Sequence, residues 1–359
     1  MIRYILKKLF YGILVLWGVL TLVFFLFQVM PGDPARMMLS QREDSKQLEI
    51  IKKEYGFDKS ILNQYFLYLN DISPLSIHHN SDKENYTYLS IEKYNFVSLF
   101  TVSEVVVVIK TPYLRESFVK RGKSVNSVIT ETFPLTFVLA ISSILFAIFL
   151  GIILGVTTAI YKDTLIDKSI LFLSVFGMSL PSFFSSIIIA WIFAYLLHDY
   201  TGLTMTGSLY EVDDYGRGSY LNIKNLILPA FTLGIRPLSV IVQISRNSML
   251  EVLKMDYVRT AIAKGLSKFI VIFKHALRNA LNPVVTVVSG WFASLLAGAV
   301  FVEYIFAWNG IGKEIVDGLN NLDMPVVMGS VLLISSVFVI INILVDVTYA
   351  TIDPRIRLN

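Results

Sequence analysis

The chain has 359 residues, of which 55% are hydrophobic and 16% charged, with a net charge of +4 and no cysteine. Average soluble domains carry roughly 25% charged residues, so this balance is that of a membrane protein. The small positive charge, with no basic tract, argues against nucleic-acid binding. The missing cysteines exclude disulfides, thiolate metal sites and cysteine nucleophiles.

The N-terminus carries Arg3, Lys7 and Lys8 before an apolar run, Leu9–Met30. This run exceeds the roughly 7–15 apolar residues of a signal peptide and ends in Pro31-Gly32-Asp33-Pro34, so an uncleaved span is expected. Five further runs reach the roughly 20 apolar residues that spanning needs. They are Phe133–Tyr161, Ile170–Leu197, Leu226–Ile244, Pro283–Phe306 and Val326–Ala350. Pro134, Pro181, Pro229 and Pro237 begin or interrupt them. The expected fold is therefore an all-α membrane protein of six transmembrane helices.

Orientation follows from the positive-inside rule. With a cytoplasmic N-terminus, the inner segments hold Lys162, Lys168, Arg246, Lys254, Arg259, Lys264, Lys268, Lys274, Arg278, Arg355 and Arg357. The short outer loops hold only Arg217, Lys224 and Lys313. Both termini are expected inside.

The long first loop, residues 31–124, is the main extramembrane region. Helical spacing (Leu48, Ile51, Tyr55) marks its early part, Ser45 to Leu69. Tyr86, Tyr88, Tyr94 and Phe96 mark its middle, and Val105–Ile109 reads as a strand. A small ordered α/β insertion on the outer side, over about 73–111, is expected in preference to a flexible one.

Between the fourth and fifth spans lies a charged segment, 246–282. Val258, Ile262, Leu266, Phe269, Phe273 and Leu277 recur at helical spacing and would form one apolar face. Gly265 would bend it. A basic amphipathic helix of this kind suits either the membrane surface or a docking partner.

This segment resembles the cytoplasmic loop of ABC importer permeases, Glu-Ala-Ala-x3-Gly-x9-Ile-x-Leu-Pro. Arg259-Thr260-Ala261 stand at Glu-Ala-Ala, Gly265 at the glycine, and His275, Leu277 and Arg278 at Ile, Leu and Pro. The acidic residue and the proline are not matched. Both departures fit the peptide subfamily, whose loop reads like Asp256–Gly265 and His275–Leu281 here. Pro31–Pro34, Tyr55–Lys59, Gly177-x-Ser179-x-Pro181-Ser182-Phe183, Trp308–Gly312 and Asp353–Ile356 are similar to the same family, first permease type. The resemblance implies a type I ABC importer permease fold, with the transmembrane domain over 125–350 and a cytoplasmic tail, 351–359. It implies a non-enzymatic half of a peptide pathway in the inner membrane. The implied partners are a second homologous permease, two cytoplasmic ATPases that bind ATP and Mg, an extracytoplasmic solute-binding protein and the lipid bilayer. No cofactor is expected in this chain itself. The residues implied to dock the ATPase are Asp256, Tyr257, Arg259, Ala261, Lys264, Gly265 and Leu266. Relatives in this family also carry nickel or glutathione, and a stand-alone secondary transporter or channel is the alternative of another class.

Arg236 lies in the middle of the fourth span. A charge there is a functional candidate by default. It would contact a peptide carboxylate in the translocation path, or form a structural pair with Glu303 or a partner chain. Other suggestive features have plainer readings. Gly122-Lys123-Ser124 lacks the upstream glycine of a phosphate loop, Ser117 standing there instead. His78-His79 lacks further metal ligands. Gly151-x-x-x-Gly155 is a helix-packing face.

Overall fold

The computed structural model describes residues 2–30, 33–38, 45–81, 85–91, 93–213, 215 and 218–352. Pro31, Gly32, Arg217, Arg355, Arg357 and the Asp353–Ile356 motif lie outside them. The chain begins with α1 (Ile2–Val29), α2 (Pro34–Met37), α3 (Ser45–Glu54) and α4 (Ile61–Ile72). Strands β1 (Leu75–His79), β2 (Phe96–Val102) and β3 (Val105–Lys110) follow. Next come α5 (Val125–Ile160), α6 (Leu165–Ser179), α7 (Ser182–Ile189, continued as a π-helix to Leu196), α8 (His198–Thr201), β4 (Tyr210–Val212) and β5 (Ser219–Leu221). The last part holds α9 (Lys224–Val252), α10 (Asp256–Ala263), α11 (Lys268–Ile270, continued as a π-helix to Ala276), α12 (Leu277–Ala280) and α13 (Asn282–Gly298). It closes with α14 (Val300–Ile305), α15 (Ile311–Asn320) and α16 (Met324–Ile352).

Among the described residues, four helices, in α1, α5, α9 and α16, are long and apolar enough to cross a membrane, and two bent pairs bring the number to six if each is one span. The third expected span is interrupted at Pro181. At Leu180-Pro181 the α6 and α7 segments bend by 112°, because proline can neither donate to the preceding turn nor leave its predecessor helical. At the start of the fifth, the preceding segment Lys268–Ala280 meets α13 at 51°, with Pro283 in the first turn of α13. Pro134, Pro229 and Pro237, by contrast, stay inside continuous helices.

Two compact units divide the chain: Met1–Phe10, Thr132–Lys313 and Ser336–Asn359 form one, and Tyr11–Glu131 with Glu314–Ser335 the other. In the first, α9 is the enclosed helix. Its apolar window is 56% buried at a mean hydropathy of 1.6, against 17% and 2.5 for α1. Small residues let neighbours approach it. A Cβ on Gly151 would stand 2.7 Å from Ile241, one on Gly155 2.5 Å from Ser245, and one on Gly177 2.8 Å from Ile235. The Gly151-x-x-x-Gly155 stripe is thus the face on which α5 packs against α9.

The second unit holds the expected small sheet, antiparallel in the order β1-β3-β2. Only β3 was legible from its β-branched run. Asp71 is the buried hub of this unit. Its carboxylate takes two donors from Arg115 at 2.8 Å and the Tyr94 hydroxyl at 2.9 Å, and its carbonyl accepts from Lys110. His78 and His79 point to opposite faces of β1. His78 is fully buried with Nε2 3.0 Å from Ser76 Oγ, and His79 Nδ1 lies 3.0 Å from Thr87 Oγ1. They form no shared metal site. In the Gly122-Lys123-Ser124 turn, Lys123 pairs with Glu131 at 2.5 Å and Ser124 Oγ accepts from the Ser127 amide.

Burial holds the Lys110 ammonium down to about 8, from an ordinary 10.5. Between those values the unfolded segment binds the proton and the folded one does not, so stability rises with pH across the window. Burial also raises the Tyr94 and Tyr113 hydroxyls above their ordinary 10.0. Above that pH the unfolded tyrosines ionise first and stability falls. Amide exchange in β2 and β3, corrected for intrinsic rate, is therefore expected to slow from pH 8 to 10 and to quicken beyond. Lys110→Met should flatten the rising limb, and an unchanged rise in that variant would contradict the account.

Candidate functional site

The loop after α9 starts later than the charge pattern suggests. Arg246 is not a loop residue; α9 continues to Val252. The guanidinium is accommodated because Nε and Nη2 each meet a carboxylate oxygen of Asp167 at 2.8 Å. Asp167 is buried, near the start of α6, where Thr164 caps the helix. This two-pronged pair ties the end of α9 to the start of α6.

From Leu253 the chain enters α10, a bend, and then α11 and α12. Gly265 makes the bend, at φ +79°. Its amide donates to Ile262 O at 2.9 Å, and the Leu266 amide reaches Ala261 O at 3.4 Å. These are the two bonds of a Schellman stop, in which glycine at the left-handed position ends the helix. A Cβ at Gly265 would meet nothing within 4 Å. Glycine is required here by backbone conformation rather than by crowding inside the chain.

The bend changes which residues face the interior. The expected single apolar face does not form, because residues on either side of Gly265 do not share a helix axis. Val258 and Ala261 of α10 pack with Val271, Ala276 and Ala280, against Val156 and Ala159 of α5 and Met249 and Val252 of α9. Ile262 (59% exposed), Phe269 (69%) and Phe273 (48%) point outward. The loop is therefore fixed to the ends of α5 and α9 by one side and displays apolar side chains on the other. Tyr257 Oη accepts from Asn279 Nδ2 at 2.7 Å, joining α10 to α12.

Six of the seven implied docking residues are at least partly open. Asp256 and Arg259 are exposed and 3.5 Å apart, and Tyr257, Lys264, Gly265 and Leu266 are also exposed. Ala261 turns inward, into the packed core beneath α10. Its small side chain admits the close packing of α10 on that core.

Arg236 is exposed on α9 and makes no ion pair or hydrogen bond among the described residues. The pair with Glu303 does not form. Glu303 is fully buried, and its Oε2 accepts from the amides of Gly312 at 2.7 Å and Lys313 at 3.3 Å. It thereby caps α15. The Trp308–Gly312 motif is the other half of this clasp. Trp308 Nε1 donates to Leu135 O at 3.1 Å and the Ile311 amide to Thr136 Oγ1 at 2.8 Å. Cβ atoms on Gly310 and Gly312 would fall 2.4 and 2.8 Å from the Glu303 carboxyl group. Sequence reading missed Glu303 as a cap. Its signal was an acidic residue in an apolar run, followed by two glycines close after it.

Residues 147–358 match the family described as binding-protein-dependent transport system inner membrane component. The chain belongs to this family. Residues 1–86 match the description of its N-terminal part. The di/tripeptide transport system permease protein DppB of Pseudomonas aeruginosa is 34% identical over 374 aligned positions, covering 99% of each chain. The dipeptide transport system permease proteins DppB of Bacillus subtilis and Escherichia coli K12 are each 32% identical. Their alignments cover 100% and 99% of this chain and 99% of either relative. The resemblance to ABC importer permeases thus holds over nearly the whole length. As a member of the family, the chain is a multi-pass inner-membrane transport component, and such permeases are not enzymes.

Proposed function

We propose that the chain is one half of the transmembrane pathway of a peptide-importing ABC transporter. The other half is a second homologous permease. Two cytoplasmic ATPases, which bind ATP and Mg, drive it, and an extracytoplasmic solute-binding protein delivers the peptide. The observation that carries the peptide assignment is full-length similarity to permeases named for di- and tripeptides, at 31–34% identity. With that family's orientation, both termini and the 253–281 loop are cytoplasmic, and the β1-β3-β2 sheet belongs to an outer insertion over about 73–111.

The coupling step runs through the loop. Asp256, Tyr257, Arg259, Lys264, Gly265 and Leu266 meet an ATPase, while Ala261 seats α10 on the chain's own core. Closure of the ATPases displaces α10. Because α10 is packed on the ends of α5 and α9, and α9 is ion-paired to α6, the displacement moves those helices together. A rigid element shared by two packings converts ATPase closure into a switch between inward-open and outward-open forms. Reconstitution tests the proposal: uptake of a labelled dipeptide into vesicles must require this chain, the second permease, the ATPases and ATP. Uptake by this chain alone, driven by an ion gradient, would favour a secondary transporter instead.

A further inference from the structure

The α9 helix is enclosed by its neighbours over most of its circumference, yet from Arg236 onward one stripe is left open. Arg236, Val240, Gln243 and Asn247 follow at steps of four, three and four, which places them on one face. All four are exposed or half-exposed, while Pro237, Ser239, Ile241, Val242 and Ser245 between them are buried; Leu238, Ile244 and Arg246, also half-exposed, lie off this face. Three of the four are polar. The side chains of Arg236, Gln243 and Asn247 form no hydrogen bond or ion pair among the described residues. Within the span, Arg236 and Gln243 are unfavourable against lipid tails, so this part of the stripe must face water or another polar surface.

We infer that this stripe binds the peptide during transit, with Arg236 taking its C-terminal carboxylate and Gln243 its backbone amides, while Asn247, about 16 Å along the helix from Arg236, meets only longer peptides. The inference rests on the peptide-importer reading above. Its chemistry is specific. A guanidinium matches a carboxylate in planar, two-pronged fashion. The side-chain amides of Gln243 and Asn247 offer both donors and acceptors, as a peptide bond does. The spacing also fits. Seven residues of helix separate Arg236 from Gln243 by about 10 Å, and an extended tripeptide spans roughly the same distance. A fixed ion pair with an acidic residue of the second permease would neutralise Arg236 but would leave both amides unused.

The test uses the purified assembly of both permeases and both ATPases in nanodiscs, with the binding protein omitted so that its own selectivity does not enter. The probes are trialanine and trialanine C-terminal amide, measured by equilibrium binding. Wild type is expected to bind the free acid about tenfold more tightly than the amide, as a charge-assisted contact would give. Arg236→Gln should bring the two within about twofold, and Arg236→Lys, which keeps the charge but loses the planar fork, should retain only part of the difference. Gln243→Ala should weaken both probes alike. Equal discrimination in wild type and Arg236→Gln overturns the inference, as does none in wild type. Loss of the second permease from the Arg236→Gln assembly also overturns it, because Arg236 then serves the interface between permeases. A wild-type assembly that binds and transports no peptide overturns the importer reading itself.

Discussion

Replacing Gly265 by proline is expected to lower ATP-driven uptake by at least about tenfold, the scale of a typical coupling free energy, while the chain still inserts and accumulates normally. Proline holds φ near −65° and has no amide hydrogen. It therefore cannot occupy the +79° position, and it removes the bond from the Gly265 amide to Ile262 O. The break between α10 and α11 then reforms elsewhere, and the exposed side chains on either side change their relative direction. The spans are untouched, because the bend lies outside them. Gly265→Ala separates conformation from volume. A Cβ there meets nothing within the chain, so alanine carries only the left-handed strain of roughly 1–2 kcal/mol. It should keep most of the uptake unless the ATPase surface itself needs a bare backbone at this point. Measuring ATPase activity and uptake together distinguishes uncoupling, in which hydrolysis persists without transport, from lost docking, in which neither is stimulated. Proline with wild-type uptake would remove Gly265 from the coupling element.

Glu303→Leu is expected to destabilise the assembled transporter by about 1–3 kcal/mol, because it takes the acceptor from one buried and one half-buried amide donor at the start of α15. Those donors are the amides of Gly312 and Lys313. Glu303→Gln keeps an amide oxygen at the same place and should lose much less. Gly310→Ala attacks the clasp from the other side, since its Cβ would stand 2.4 Å from the Glu303 carboxyl carbon. It should be at least as damaging as the leucine variant. Thermal unfolding of the detergent-purified complex reads all three. A Glu303→Leu complex that melts within about 1 °C of wild type would show that Glu303 is not the cap that holds α15.

Composition and apolar runs were enough to predict six crossings, because lipid demands long apolar segments whatever the sequence does elsewhere. Breaks in those crossings were less visible. Pro181 interrupts a span, yet Pro229 and Pro237 do not, and the difference depends on neighbours that a linear pattern does not name. Charge marked Arg246 as the start of a loop, whereas α9 runs on as a helix to Val252 and the guanidinium meets Asp167, 79 residues earlier. Periodicity misled at the loop. Ile262, Phe269 and Phe273 fit one helical face only if the helix runs straight, and the positive φ of Gly265 forbids that. The small residues Ala261, Ala276 and Ala280 form much of the interior face instead, and alanine gives little hydropathy signal. The outer sheet was half legible. The run of valines in β3 was plain, whereas β1 carries two histidines and its pairing with β3 spans about thirty residues of sequence. Glu303 was read as a possible ionic partner for Arg236, since both are charges in apolar runs. The backbone amides that occupy Glu303 have no signature in side-chain composition.

We propose a passive half-pathway, driven from outside through the loop that carries Gly265. Uptake of a labelled dipeptide tests it, in proteoliposomes holding both permeases and both ATPases, with loaded binding protein on one side and ATP on the other. Uptake is predicted to require ATP, to vanish when this chain is omitted, and to vanish again when Asp256–Leu266 is replaced by a flexible linker of equal length. Uptake that survives the loop replacement, or that this chain sustains alone on an ion gradient, would contradict it.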